Sequence, residues 1–342
     1  VVFEDSHLED DWRPENYSGE FYGPTRLRKA LVNSRNLVSI RLLRAIGIDY
    51  AINFVHRFGF DPKKLPRNLS LALGTAATTP LSIARGYATF ANGGFLIDPY
   101  FINEVTDPQG NILELAPDIR LCEDCGNLED NTAMPATENE SLASVRPLRI
   151  ASQNPANNNS GETSLKRKIK NVPRVLSEEN VYIMTSILRD VVREGTGRGA
   201  LDIGRRDLAG KTGTTNEQKD AWFSGFNDKL VTTVWIGFDI PRPLGRRETG
   251  AGAALPMWIY YMEKALKDIP EKFMSQPPNL VSVRIDPETG KLAAPGDPEA
   301  IFEIFHKDYV PTAGSDTADM NSNSEGTHSP AVSSSPDLPD LF

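Results

Sequence analysis

Apolar residues recur at helical spacing in the first part of the chain. In residues 37–46 they fall every three or four positions, and Gly47 follows as a typical helix end. A shorter helix is predicted to open at Pro24 and to run through Leu31. The sequence therefore predicts two successive helices joined by the polar segment Asn33-Ser34-Arg35-Asn36.

Three further helices are predicted along the chain. A threonine followed by a proline predicts the start of a helix over 79–92. A serine followed by two glutamates predicts the start of another over 177–195, because acidic residues favour the first turn of a helix. The last predicted helix covers about 255–266.

The pattern changes between residues 208 and 238. Segments 208–215, 221–226 and 230–238 are rich in β-branched and aromatic residues, and short turns separate them. This pattern predicts antiparallel strands. Helices that come first, followed by an antiparallel sheet and a closing helix, indicate the α+β fold class rather than βαβ repeats.

Two segments lack such patterning. Residues 116–172 are predicted to be a polar, mobile insertion. Residues 311–342 are rich in Ser, Thr and Pro, contain five acidic residues and no Lys or Arg, and are predicted to be a disordered acidic tail. More than half of the formal net charge of −9 therefore lies in the tail.

Composition narrows the possible function classes. A chain with a formal net charge of −9 is not expected to bind the negatively charged phosphate backbone, so no nucleic acid partner is predicted. No apolar run reaches the roughly 18 residues of a membrane span. The four histidines are scattered and the cysteines number two, so neither a metal site nor a disulfide scaffold is expected. No cofactor is predicted.

The sharpest local motif is Lys-Thr-Gly at the start of a predicted strand. Lys211 supplies a cation, Thr212 a hydroxyl, and Gly213 a backbone against which a substrate can lie. Together they suit a carboxylate and leave backbone N–H groups for an oxyanion. Two alternatives are a solvated lysine in a turn and a phosphate-binding loop. The loop is disfavoured because Arg205 stands where its first glycine belongs and a strand follows.

A second motif lies between the first two helices. In Ser34-Arg35-Asn36 a hydroxyl and an amide can face one side, which suits proton relay and a hydrogen bond to a substrate amide. The alternative is that Ser34 caps a helix. Ser152-Gln153-Asn154 matches the same pattern by chance, within the polar insertion.

Two other patterns are weaker. The pair Cys122 and Cys125 has the spacing of a metal clip, but zinc needs four ligands, which leaves a disulfide or no function. The glycine-rich segment 195–199 follows a helix instead of preceding one, so a dinucleotide site is disfavoured.

Ser-x-Asn followed by Lys-Thr-Gly gives two of the three motifs of the penicillin-recognising serine acyltransferases, the third being Ser-x-x-Lys. Segments 12–17, 71–74, 91–94 and 211–225 also resemble the transpeptidase module of class A penicillin-binding proteins. The resemblance covers most of residues 1–310. It implies a β-lactamase-like fold, an antiparallel sheet with helices on both faces and an all-helical subdomain, incomplete at the N-terminus. The implied domains are a transpeptidase domain over 1–275 and a short extension over 276–310.

The resemblance implies a D,D-transpeptidase that cross-links peptidoglycan stem peptides through an acyl-serine and is trapped by β-lactams. Ser34 would shuttle a proton, Asn36 would bond the substrate backbone, and Lys211 would orient Ser34. Thr212 and Thr214 beside Gly213 would hold the substrate carboxylate, and the Thr214 N–H would be an oxyanion donor. Expected partners are stem peptides, β-lactams and cell-wall synthesis proteins, at the periplasmic side of the bacterial inner membrane.

One element of the family is absent from the sequence. No serine is followed by a lysine three positions later, and Ser164 is the nearest miss. In the family Ser-x-x-Lys precedes Ser-x-Asn, so the chain is expected to be truncated before Val1 and to lack both the nucleophile and a membrane anchor. It is therefore expected to be inactive alone. A non-catalytic stem-peptide-binding remnant and a related D,D-carboxypeptidase or β-lactamase stay open as alternatives.

Overall fold

A computed structural model describes residues 12–122 and 167–312. The helices of these residues are α1 (Leu27–Val32), α2 (Asn36–Ile46), α3 (Ile48–His56), α4 (Pro80–Ala91), α5 (Glu178–Arg193) and α6 (Leu255–Ala265). The strands are β1 (Glu104–Thr106), β2 (Ile112–Leu115), β3 (Asp118–Cys122), β4 (Ile169–Pro173), β5 (Ala209–Thr214), β6 (Ala221–Phe226), β7 (Val231–Ile236), β8 (Leu280–Ile285) and β9 (Ile301–His306). None of the described helices is long and apolar enough to cross a membrane.

The predicted helices agree with the structure except at the start of the first helix. α2, α4, α5 and α6 form where the pattern placed them, and Thr79 and Ser177 cap α4 and α5 through their side chains. The prediction that Pro24 opens the first helix is wrong. Arg26 has an extended backbone with ψ 140°, so the helix can begin only at Leu27. α3, which follows Gly47, was not predicted.

The sheet that supports the site has the order β5-β6-β7, and both pairings are antiparallel as predicted. Because successive strand residues point to opposite faces, Phe223 and Phe226 contact different layers. Phe223 packs on Trp258 of α6, with ring centroids 4.9 Å apart. Phe226 packs on Tyr87 of α4 and lies in a cluster with Leu188 of α5. Helices therefore cover both faces of the sheet, which confirms the α+β class.

Residues 98–173 form a compact unit separate from the rest of the chain. Within it β1 pairs antiparallel with β2, and β3 pairs parallel with β4. The predicted insertion over 116–172 thus contains strand at both of its ends. The prediction that it is mobile otherwise concerns residues 123–166, which lie outside the described residues. The tail after residue 312 and the second Ser-x-Asn match at 152–154 also lie outside them.

The C-terminal hairpin of β8 and β9 is anchored to the helices by charge. Glu303 of β9 accepts a hydrogen bond from Arg28 of α1 at 2.7 Å. The same guanidinium donates to Asp190 of α5 at 2.7 Å. All three side chains are at most 14% exposed. Burial alone lowers the pKa of Arg28, but the bonds and charges of its two partners raise that pKa above its ordinary value.

Candidate active site

Ser34 lies in a tight turn between α1 and α2. Its φ of 53° is in the left-handed region, which non-glycine residues rarely adopt. The turn is held because the Ser34 N–H donates to the Leu31 carbonyl at 3.1 Å and the Arg35 N–H to the Ala30 carbonyl at 2.8 Å. No side chain caps α2, so Ser34 is not a helix cap. The Ser34 hydroxyl therefore caps no helix and can bond a side chain of the sheet.

Lys211 of β5 reaches this turn from 177 positions further along the sequence. Its ammonium group donates a hydrogen bond to Ser34 Oγ and a second one, of 3.1 Å, to the Thr212 carbonyl. The structure therefore brings together the two residues that the separate motifs pointed to.

Burial changes the acid–base behaviour of Lys211. Removing the ammonium group from water lowers the pKa of Lys211 from its ordinary 10.5 to about 8. Near neutral pH the group is therefore mostly charged, but it can give up its proton far more readily than an exposed lysine.

The lowered pKa can be measured directly on the chain. In an NMR titration of ¹³C-labelled lysine side chains, we expect the Lys211 signal to have its midpoint at about pH 8. The signal is identified by its loss in Lys211→Met. A midpoint near 10.4, the value of an ordinary lysine, would show that the ammonium group is exposed to solvent.

Backbone groups at the open side of β5 also face the site. The Thr215 N–H donates to the Asp220 carbonyl at 3.1 Å, which makes these two residues a hydrogen-bonded pair of the antiparallel ladder. Hydrogen-bonded and non-bonded pairs alternate, so Thr214 and Ala221 are a non-bonded pair. The N–H of Thr214 therefore points away from β6. Since β5 is the outer strand of its described sheet, that N–H is directed outward.

The hydroxyls of Thr212 and Thr214 both have hydrogen-bond partners within the protein. Thr212 Oγ1 lies 2.7 Å from Thr196 Oγ1. Thr214 Oγ1 accepts a hydrogen bond of 2.9 Å from the N–H of Gly250, the first residue of a π-helical turn. An oxygen that already accepts keeps its own proton for another acceptor. Thr214 is thus prepared to donate.

Gly213 has a packing role that the sequence did not indicate. A Cβ built on it would lie 3.1 Å from Cβ of Trp222 on the neighbouring strand. A Cβ on Gly250 would lie 2.5 Å from the Gly213 carbonyl oxygen. Glycine at position 250 therefore lets the π-helical turn lie directly against β5, and glycine at position 213 leaves room for the Trp222 side chain.

Asn36 is held by a segment that precedes α1. Its side-chain amide donates to the Glu15 carbonyl at 2.9 Å. The neighbouring Asn16 is buried, accepts from the Leu37 N–H at 3.3 Å and donates to the Glu20 carbonyl at 2.7 Å. Segment 12–17 therefore fixes the start of α2.

A cavity of about 680 Å³ joins these groups. Ser34, Asn36, Thr212 and Thr214 line it, and Lys211 contacts it through Ser34. Further lining residues are Asn16, Thr196 and Thr249, none of which the motifs identified as site residues. Asn16 lies in segment 12–17, whose resemblance to the family is the signal for it, and Thr196 lies in the glycine-rich segment 195–199, which the sequence pattern relates only to a dinucleotide site. No pattern in the sequence indicates Thr249.

A metal site and the cysteine pair are the two other kinds of site that the sequence raises. Within residues 12–122 and 167–312 no group of three or more His, Cys, Asp or Glu side chains is placed to hold a metal ion. Cys122 is disulfide-bonded, and Cys125 lies outside the described residues.

Comparisons with known proteins give a consistent result. The profile described as "Penicillin binding protein transpeptidase domain" matches residues 3–251, and "Penicillin-binding protein 1A, C-terminal domain" matches residues 276–319. Penicillin-binding protein 1A of Pseudomonas aeruginosa is 46% identical over 315 residues, which is 91% of this chain and 38% of that protein. The Escherichia coli protein of that name is 36% identical over 337 residues, 90% of this chain and 39% of that protein.

A solved structure is similar as well. The crystal structure of penicillin-binding protein 1A from Haemophilus influenzae matches with a TM-score of 0.74 and 36% identity, over 91% of this chain and 44% of that one. The chain thus spans less than half the length of these relatives.

Proposed function

Because the chain belongs to the penicillin-binding protein transpeptidase family, we propose that it is part of the peptidoglycan D,D-transpeptidase module of a longer, bifunctional cell-wall synthase. The module cleaves the terminal D-Ala-D-Ala bond of a stem peptide, forms an acyl-serine, and passes the acyl group to an amine of a neighbouring stem. The serine nucleophile belongs to a Ser-x-x-Lys motif that these 342 residues do not contain.

The hydrogen bond from Lys211 to Ser34 Oγ is the observation that carries this proposal. It joins the Ser-x-Asn and Lys-Thr-Gly motifs at one cavity, where an acyl-serine enzyme needs a proton relay next to a carboxylate site. Ser34 passes a proton to the leaving amine and takes one back from the acceptor amine. Lys211 orients the Ser34 hydroxyl and supplies positive charge for the carboxylate of the substrate.

The other polar groups of the cavity have complementary roles. Thr212 and Thr214 donate their hydroxyl protons to the substrate carboxylate. The outward N–H of Thr214 donates to the oxyanion of the tetrahedral intermediate. Asn36 exchanges its bond with the Glu15 carbonyl for one with the substrate backbone, so it is held near its working position beforehand. We propose that the reaction takes place at the periplasmic side of the inner membrane, because its substrate is the stem peptide of the cell wall, and that cell-wall synthesis proteins are partners there.

Labelling with a fluorescent penicillin tests the proposal. We expect the longer protein that includes Ser-x-x-Lys to take one covalent label, and the 342-residue chain to take none, because a β-lactam needs the serine nucleophile. A covalent label on the 342-residue chain would contradict the assignment of the nucleophile. A longer protein that stays unlabelled would contradict the transpeptidase itself.

Product analysis separates the alternatives. With a stem peptide and an acceptor amine, the longer protein is expected to form the cross-linked dimer. Release of free D-alanine and shortened peptide alone would indicate a carboxypeptidase. Reversible binding of D-Ala-D-Ala peptides in calorimetry without turnover by the longer protein would indicate a binding module.

A further inference from the structure

The glycine-rich turn after α5 lies between the two motifs of the site. The carbonyl of Val191 near the end of α5 accepts from the Gly195 N–H at 3.1 Å and from the Gly197 N–H at 3.0 Å. Both bonds hold Thr196 at the tip of the turn. The position of Thr196 is therefore set by the end of a long helix and not by the loop alone.

The same turn packs against the end of α1. A Cβ on Gly195 would lie 2.4 Å from the Val32 carbonyl oxygen, so only glycine fits there. The Thr196 N–H donates to that carbonyl at 3.4 Å. Val32 is two residues before Ser34, and Thr196 thus holds one side of the Ser-x-Asn turn.

The side chain of Thr196 contacts the other motif. Its hydroxyl oxygen lies 2.7 Å from that of Thr212, and both residues line the cavity. A hydroxyl carries a single proton, so in this pair one oxygen donates and the other accepts. A carboxylate only accepts, and Thr212 can donate to it only if Thr196 is the donor within the pair.

Resting on the proposed function, we propose that Thr196 is a positioning residue for carboxylate recognition. It donates its proton to Thr212 Oγ1, which turns the Thr212 proton toward the carboxylate of the stem peptide or β-lactam. The hydrogen bonds then run from the Thr196 hydroxyl to Thr212, and from the Thr212 hydroxyl to the ligand carboxylate. Because the Thr196 N–H also bonds the Val32 carbonyl, these two hydroxyls keep a fixed position relative to the Ser34 turn.

Paired ligands and paired variants test the proposal in the longer protein. Thr196→Val keeps the shape but removes the proton, whereas Thr196→Ser keeps the proton. With a penicillin that has a free carboxylate, Thr196→Val is expected to lower the second-order acylation rate constant about tenfold. Thr196→Ser should stay within about threefold of the unmodified protein, as expected when the hydroxyl is the active feature.

The methyl ester of the same penicillin, used at higher concentration, separates positioning from stability. The ester lacks the anionic acceptor, so Thr196→Val is expected to change its acylation less than about twofold. Equal losses with both ligands would mean that Thr196 only supports the fold, and no loss with either would remove any role. Both results overturn the proposal.

A matched control comes from the same sheet. Ser224 and Thr233 form another hydroxyl pair at 3.0 Å, and neither lines the cavity. Thr233→Val is expected to leave acylation by both ligands unchanged. If the unmodified longer protein is acylated by neither ligand, the proposed function fails, and that result is distinct from a failure of the role of Thr196.

Discussion

Replacing Lys211 by methionine in the longer protein is expected to lower the rate of acylation by penicillin about 10²- to 10⁴-fold. Methionine is similar in length and volume but carries no charge. The change removes the donor to Ser34 Oγ and the positive charge for the ligand carboxylate in one step. The measurement is the second-order rate constant of acylation by a fluorescent penicillin.

The stability of the 342-residue chain with Lys211→Met is expected to move the other way. The pKa of Lys211, about 8 in the folded chain, lies below the ordinary pKa of an unfolded lysine, about 10.4. The unfolded chain therefore binds more protons between these two pH values. The free-energy cost of burying the charged ammonium group is therefore at its full value below about pH 8. This cost decreases as the pH rises toward about 10.4. At pH 7 the melting temperature of Lys211→Met should equal or exceed that of the unmodified chain.

A second lysine supplies the control for this experiment. Lys264 of α6 is exposed, contacts Tyr260 and does not line the cavity. Lys264→Met is expected to change neither acylation nor melting. An acylation rate of Lys211→Met within threefold of the unmodified protein would contradict the role given to Lys211, whatever its melting temperature.

The sequence predicted the parts of the site that short motifs encode. The Lys-Thr-Gly motif indicates Lys211 and Thr212 because a cation and a hydroxyl next to a glycine at a strand edge suit a carboxylate, although a solvated lysine in a turn gives the same local pattern. Ser34 was less certain, because a serine between two helices is more often a cap. The structure distinguishes the two interpretations by the absence of a side-chain cap on α2 and by the contact with Lys211 across 177 positions, which no local pattern contains.

The residues that the sequence did not identify act through backbone geometry. Gly250 is a partner of Thr214 because a π-helical turn puts its N–H beside β5. The glycines around Thr196 suggest only a disfavoured dinucleotide site in the sequence, whereas in the structure they serve close packing against Val32 and Val191. Such roles depend on three-dimensional proximity, which periodicity and composition do not report.

The same limit applies to the C-terminal hairpin. Nothing in the sequence distinguishes Glu303 of β9 from the other acidic residues of the short extension over 276–310. In the fold it is the partner of Arg28, 275 positions earlier in the chain, and Arg28 in turn bonds Asp190. The extension is thus joined to α1, whose end carries the Ser34 turn.

Breaking this network is expected to be strongly destabilising. Arg28→Met leaves two carboxylates that are 10% and 12% exposed without their shared cation. Removing one partner of a buried ion pair typically costs about 3–5 kcal/mol. We expect a loss of about 3 kcal/mol, at the lower end of that range, because Arg26 still contacts Glu303 and Arg193 still contacts Asp190. Denaturant unfolding of the 342-residue chain measures it.

An exposed ion pair of the same chemistry is the matched control. Arg67 bonds Asp49, and their side chains are 63% and 80% exposed. Arg67→Met is expected to change the free energy of unfolding by less than about 1 kcal/mol, because water solvates both charges well in either state. Adding Glu303→Leu to Arg28→Met should recover part of the loss, since one uncompensated carboxylate then disappears. Equal effects of Arg28→Met and Arg67→Met would show that Arg28 does not link α1 to the hairpin.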